Sequence, residues 1–562
     1  MPLLPILLAS VTSMSDTAES PMVAFIRTHS ADLQSLQEKY DVPFSQARQA
    51  RLHDFFVQWQ TDLGRTNFDA LDREGQVDYL LQTNYLKHEL RQLDIDAAQL
   101  SEIKEFIPFV STIAKLEEDR IAGKAIDPEA SASTVAAMKK QIDELRSSIE
   151  KRMQSEKFKR TLANRASMAI RSLQRAFTKW YQFYNGYVPT FAWWVEAPYK
   201  SADTALQEYA RFLREKVAMI PPGNDNFIVG DPIGHDALME ELRNELIPYT
   251  PEELVEIANK EYEWCLNEML KASREMGFGD DWKKALEKVK QDHVAPGEQP
   301  AFVKFLAEEA IEFVEKNKLV TVPPLAKETW RMEMMSPEAQ LVNPFFLGGE
   351  AIIVSFPTDT MSHEQKLMSM RANNKHFSRA TVHHELIPGH NLQGFMNARY
   401  SQHRAPFRTP FWTEGWALWF EMQFWDLGFQ KSPENRVGML FWRMHRCARI
   451  IFSLSFHLEK MSPDECIKLL IDKVGHEPSS AEAEVRRSLS GAYSPLYQCA
   501  YMLGALQFRS LHNEIVGSKK MTDQQFHDKI LQSGNMPIAM LRLLFTNNKL
   551  TREYSPNWRF YG

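Results

Sequence analysis

His384-Glu385-Leu386-Ile387-Pro388-Gly389-His390 places two imidazoles around a carboxylate, and Thr413-Glu414-Gly415-Trp416-Ala417 follows about one short helix downstream. Two histidines and one glutamate form the ligand set of a catalytic zinc, which keeps a fourth position open for water. These residue types imply a site that holds one zinc ion per chain through His384, His390 and Glu414. Glu385, adjacent to a ligand, would be the base that takes a proton from the water. The chemistry implied is hydrolysis of an amide.

The chain has three His-Glu pairs, at His363, His384 and His476, but only the second has another histidine within two turns and a Glu-Gly-Trp segment behind it. Its spacing is unusual. In the common His-Glu-x-x-His pattern, ligands four residues apart share one helix face. His384 and His390 are six apart, about 120° around a regular helix and on the order of 9 Å along it. Pro388 resolves this, because it has no N–H for the His384 carbonyl and its ring clashes there. Gly389 then tolerates backbone angles that other residues avoid. A bulge or break at Pro388-Gly389 is expected to bring His390 back beside His384. His383 points about 100° away from His384 and reads as a packing residue. The competing reading is a helix that merely stops at Pro-Gly. The apolar flanks Val382, Leu386 and Ile387 oppose it, since two imidazoles and a carboxylate on a half-buried helix are costly without a partner.

The stretch resembles the His-Glu-x-x-Pro-Gly-His signature of a large family of zinc metallopeptidases, classed as domain of unknown function family 885. That family also has a Glu-Gly-Trp-Ala segment with a glutamate seven residues on, matched by Glu414 to Ala417 and Glu421. Its arginine-rich helix ending in histidine is matched by Arg446, Arg449 and His457, and a Pro-to-Tyr-to-Gly segment by Pro495, Tyr501 and Gly504. The likeness runs from near residue 170 almost to the C-terminus, with Phe526-His527-Asp528 and Gly534 close to its end. Ser453 stands where the family usually has an acidic residue, and Tyr497 where it has glutamine. More distantly, Thr413 to Ala417 is similar to the Asn-Glu-Gly-Phe-Ala segment of the aminopeptidase N family, whose glutamate binds zinc. The dipeptidyl-peptidase III family offers another stretched histidine motif. The resemblance implies a gluzincin-like metallopeptidase, with Tyr501 and His457 as candidate catalytic donors to the oxyanion. Two other readings use the same residues: a zinc amidohydrolase acting on a small-metabolite amide, and a non-catalytic helical binding protein with a degenerate site.

The composition suits a large helical enzyme. The 562 residues are 44% hydrophobic with 13 Trp and 34 Phe, enough for a substantial core. Only 23 are glycine, below the usual share of about 7%. A net charge of −7 gives no general attraction to nucleic acid. The basic run from Lys151 to Arg175 is interrupted periodically by apolar residues and reads as a solvated helix face. Four scattered cysteines form neither a zinc-thiolate spacing nor a disulfide framework. No apolar run reaches the roughly 18 residues of a transmembrane span. Leu3 to Ala9 resembles the core of a secretory signal but lacks a preceding Lys or Arg and contains proline. With no Asn-x-Ser/Thr site in the chain, the location reads as secreted or periplasmic if that segment is a signal, and cytoplasmic otherwise.

Helical periodicity dominates. Gln76 to Leu93 and Ser131 to Met153 carry apolar residues at steps of three and four. Thr250 and Pro251 mark a capped helix start. Val342 to Pro357 breaks the pattern and reads as a hairpin or strand pair, with an edge strand that could pair with an extended substrate. The expected fold is mainly α with a small β-sheet beside a zinc-binding helix. Residues 1–20 read as a signal-like or disordered leader, 21–325 as a helical N-terminal region and 326–562 as the zinc-binding catalytic region. The expected partner is a peptide or amide substrate.

Overall fold

Thr250 shows how local sequence starts these helices. Its hydroxyl accepts from the Glu253 amide at 3.2 Å, the Glu253 carboxylate accepts from the Thr250 amide at 2.8 Å, and Pro251 fills the first turn. This reciprocal cap satisfies two amides that a helix start leaves unpaired. Equivalent caps begin the helices His363–Ala372, Pro463–Leu469 and Asp523–Ser533.

The computed structural model describes residues 19–224, 227–340, 343, 345–491 and 493–562. The fold is mainly α with one two-stranded sheet among these residues. The expected helices over Gln76 to Leu93 and Ser131 to Met153 fall within or against Arg73–Ile103 and Pro128–Arg152. Residues 1–18 of the expected leader lie outside the described residues. No helix among the described residues is long and apolar enough to cross a membrane.

Apolar faces meet in two large cores. One is built from residues 103–220 and includes Pro128–Arg152, Arg160–Tyr184 and Pro189–Phe212. The other extends from Met22 to Phe560 and takes residues from both sides of position 325. At its centre, Pro410–Asp426 packs along Tyr497–Ile515, and Pro433–His457 along Pro251–Glu275. Pro410–Asp426 is buried nearly all round, as befits an interior helix. Pro433–His457 is equally enclosed yet carries Arg443, Arg446 and Arg449, whose burial requires anionic partners. Glu261, Glu421 and Glu484 supply them at 2.9, 3.1 and 2.7 Å.

The sheet differs from the expected hairpin. Strand β1 (Arg331–Met334) pairs in parallel with β2 (Ala351–Val354), with Arg331 opposite Ala351. Val342 and Pro344 of the expected hairpin lie outside the described residues; among the rest of that segment an isolated antiparallel bridge joins Leu347 to Ile353. Ile352 and Val354 are fully buried, so β2 needs cover rather than a solvent-facing hairpin partner. They pack with Val303 and Leu306 of the helix Gln299–Lys316 and with Val382 and Leu386, which tie the sheet to the histidine segment.

Candidate metal centre

The histidine segment is two helices rather than one bulged helix. Lys375–Glu385 ends at Leu386, and His390–Asn397 begins four residues later. Between them, the Gly389 amide donates to the His383 carbonyl at 3.0 Å and the Asn391 amide to the Leu386 carbonyl at 3.1 Å. The Trp416 indole donates to the Pro388 carbonyl at 2.8 Å, which links this turn to the Glu-Gly-Trp helix Pro410–Asp426. Gly389 has φ −78° and ψ −133°, so it does adopt angles that other residues avoid, through ψ and not through a left-handed φ. A Cβ there would lie 1.8 Å from the His384 carbonyl oxygen. The turn requires space as well, because the chain doubles back onto its own preceding turn. The His384 and His390 rings end 4.9 Å apart.

Nε2 of His384 and Nε2 of His390 face the same oxygen, Oε2 of Glu414, at 3.5 and 3.3 Å. Each imidazole is fixed from behind. Nδ1 of His384 lies 2.7 Å from Glu421, a pure acceptor when ionised, so Nδ1 carries the proton and Nε2 presents its lone pair. Nδ1 of His390 lies 2.9 Å from Oε1 of Gln393, whose amide group donates to the Thr413 carbonyl at 2.9 Å. Oε1 of Glu414 accepts from the Tyr497 hydroxyl at 2.6 Å, while its buried Oε2 has no hydrogen-bond donor. One ligand atom from each of His384, His390 and Glu414 lies within 4.8 Å of the others. A buried carboxylate oxygen without a donor, opposed by two oriented imidazole nitrogens, fits a zinc ion.

The electrostatics agree with that donor set. Burial alone would push His390 down, but Glu414 and Glu385 outweigh it and push the imidazole up to about 9. Burial would likewise raise Glu414, yet His390 and His384 hold it well below the carboxylate range. The three groups together bind positive charge, which protons or a divalent cation can supply. Glu385 differs. Burial dominates there and raises its carboxyl, while its Oε2 stays 3.9 Å from Nε2 of His390. A Cβ on Gly348 would lie 2.2 Å from that oxygen, so the segment leading into β2 passes directly over Glu385.

Glu421 is buried and accepts from Arg446 at 3.1 Å as well as holding His384. The Tyr501 ring lies 6.3 Å from the His384 ring and nearly parallel to it, and the Arg449 guanidinium lies 4.4 Å from the Tyr501 ring centre. Burial pushes the Tyr501 phenol up to about 12. His457 is not brought to this cluster. It closes the helix Pro433–His457, about 16 Å along the axis from Arg446, packs on Phe456, and is pushed down to about 4 by burial. His383 packs its ring 4.5 Å from Phe424 and is pushed down to about 3 by burial, so it turns away from the ligands.

Two residues that sequence reasoning left without a role now have one. Gln393 stands one helical turn after His390, a spacing that could have marked it as a support. Tyr497, noted only as a departure from the family pattern, lies one turn before Tyr501 on the same helix, Tyr497–Ile515.

Known proteins bear on this arrangement in three ways. Residues 30–544 match the family described as "Bacterial protein of unknown function (DUF885)". No curated protein matches the chain. Among solved structures, a protein from Shewanella oneidensis described as a proposed lipoprotein of unknown function shares 18% identity at a TM-score of 0.68, covering 94% of this chain and 100% of its own. A proposed lipoprotein from Colwellia psychrerythraea shares 14% identity at a TM-score of 0.57, covering 93% of this chain and 97% of its own. At those identities the likeness is one of fold. Since the family match spans all but the ends of the sequence, the chain belongs to the DUF885 family.

Proposed function

We propose that this chain is a zinc-dependent metallopeptidase that hydrolyses peptide bonds. The observation that carries the reading is the convergence of Nε2 of His384, Nε2 of His390 and the donor-free Oε2 of Glu414 in one buried corner. Bound there, zinc supplies a Lewis acid that brings the pKa of water towards about 7 and polarises a carbonyl. Glu421 and Gln393 keep both imidazoles in the tautomer that presents Nε2. Glu385 accepts the proton of the attacking water on its raised carboxylate and returns it to the leaving amine. Tyr501, whose phenol keeps its proton at neutral pH, is the candidate donor to negative charge developing on the carbonyl oxygen. The lipoprotein descriptions of the two solved relatives favour an envelope location and hence the signal reading of Leu3 to Ala9.

Metal analysis and a peptide library test this directly. The purified protein is expected to hold about one zinc per chain and to cleave peptides in preference to a panel of small-metabolite amides. Glu385→Gln is expected to keep its zinc and to lose at least about 10²-fold in hydrolysis. A protein free of zinc, or one whose hydrolysis survives chelation, overturns the reading. Cleavage confined to the amide panel would move it to a small-molecule amidohydrolase.

A further inference from the structure

The three buried arginines of the helix Pro433–His457 each have an anionic partner. Arg443 meets Glu261, Arg446 meets Glu421 and Arg449 meets Glu484. Arg487, on the helix Pro478–Leu489, meets none: among the described residues no carboxylate forms an ion pair or hydrogen bond with it, and its buried Nε has no acceptor. Glu484, one turn before it, is already bound by Arg449. That one carboxylate attracts both guanidinium groups, but only Arg449 bonds to it, so the donors of Arg487 have no carboxylate of their own.

Its position is defined by a row of tyrosines. The Arg487 guanidinium lies 4.8 Å from the Tyr493 ring centre, that ring lies 4.4 Å from Tyr497, and Tyr497 donates to the ligand Glu414 at 2.6 Å. Tyr501 continues the row inward, 5.9 Å from Tyr497 and 6.3 Å from His384. Exposure changes along it in one direction: Tyr501 is buried, whereas Tyr497, Tyr493 and Arg487 are half-buried. The row therefore joins the half-buried Arg487 to the buried ligand set. Arg487 stands on it within the reach of about one to three residues of extended peptide.

We propose that Arg487 binds a carboxylate of the substrate and so sets specificity, which on the peptidase reading makes the substrates peptides carrying that charge close to the cleaved bond. A planar guanidinium with free donors matches a carboxylate in a two-pronged geometry, and stacking on Tyr493 holds the fork ready without consuming those donors. A half-buried cation that shares its nearest carboxylate with another arginine and bonds to none gains more from an incoming anion than one already paired. The carboxylate is either the free C-terminus of a peptide or an acidic side chain, and the chemistry of recognition is the same for both.

Binding to zinc-loaded Glu385→Gln protein tests this apart from turnover, so loss of the peptidase reading and loss of this one give different results. The probes are a fluorescein-labelled hexa-alanine peptide as the free acid, the same peptide as its carboxamide, and a carboxamide with one alanine replaced by aspartate. The dye's own charge is common to all three probes, and fluorescence anisotropy is expected to give at least about tenfold tighter binding where the peptide itself bears a carboxylate than for the plain carboxamide. Arg487→Met in the same background should erase that difference, while Arg487→Lys should retain part of it, because the charge remains but the fork is lost. Preference for the free acid identifies the terminal carboxylate as the group bound; preference for the aspartate carboxamide identifies a side chain. Equal binding of all three probes, or a preference that survives Arg487→Met, overturns the proposal.

Discussion

Gly415 and Gly504 meet where the helix Pro410–Asp426 crosses Tyr497–Ile515. A Cβ on Gly415 would lie 2.6 Å from the Gly504 Cα, and one on Gly504 would lie 2.1 Å from the Phe411 carbonyl oxygen. Neither obstacle is a flexible side chain. With a hydrogen atom on each side, the two backbones close to direct contact. Glu414 precedes Gly415 by one residue, and Tyr497 begins the partner helix, so this crossing sets the 2.6 Å bond between them. Gly504→Ala should force the helices apart. We expect a loss of stability of about 1–3 kcal/mol or more, the usual scale of overpacking, read as a fall in the thermal midpoint. Zinc affinity should fall with it. An alanine variant as stable as the parent would mean that the crossing can relax elsewhere.

Much of the centre was legible in sequence because its chemistry and its chain break are local. His384, His390 and Glu414 come together with Glu385 3.9 Å from His390, and the helix ends before Pro388, which has no N–H to continue it. What sequence could not display is contact between distant segments. Gly415 packs against Gly504 on another helix, and nothing in its own stretch of sequence names that partner. β2 reads as half of a hairpin because its true partner, Arg331–Met334, is short, polar at two of four positions and far back in the chain. His457 fits a family pattern, but nothing in its local sequence tells how far along a long helix it lies from the ligands. Arg487 is one charge among many until the partners of Arg443, Arg446 and Arg449 are known.

Glu414 and Glu421 lie seven residues apart on one helix face and hold different positions at the centre. Oε2 of Glu414 faces both Nε2 atoms, whereas Glu421 reaches Nδ1 of His384 from behind. Glu414→Ala should therefore abolish most zinc binding. Glu421→Ala should weaken it by about 10–100-fold, the usual cost of losing support to a ligand histidine. Glu421→Ala also leaves Arg446 without its buried counter-ion, so it should lose stability as well as zinc. Zinc titration with a competing chelator measures both variants. Retention by Glu414→Ala with loss by Glu421→Ala would exchange the two assignments.

Acid should destabilise this fold through buried histidines that are not candidate metal ligands. His527 is neutral by construction: Nε2 accepts from the Trp419 indole at 2.9 Å, and Nδ1 donates to the Leu319 carbonyl at 2.8 Å. A second proton would break the tryptophan bond, and burial pushes this imidazole down to about 4. His29 sits among Phe55, Phe56, Trp59 and Tyr85 with neither ring nitrogen bonded, and burial pushes it down to about 4 as well. In the unfolded chain both titrate near 6.5. Between about pH 6.5 and 4 the unfolded state thus binds more protons than the folded one, so stability falls as pH falls, by up to about 1.4 kcal/mol per pH unit for each histidine. His29→Phe removes one titrating group and fills the same aromatic space, while His527→Gln keeps a donor and an acceptor without a proton to gain. The double variant should lose less thermal stability than the parent when both are taken from pH 7 to pH 4.5. Equal losses in the two proteins would show that acid sensitivity arises from other groups.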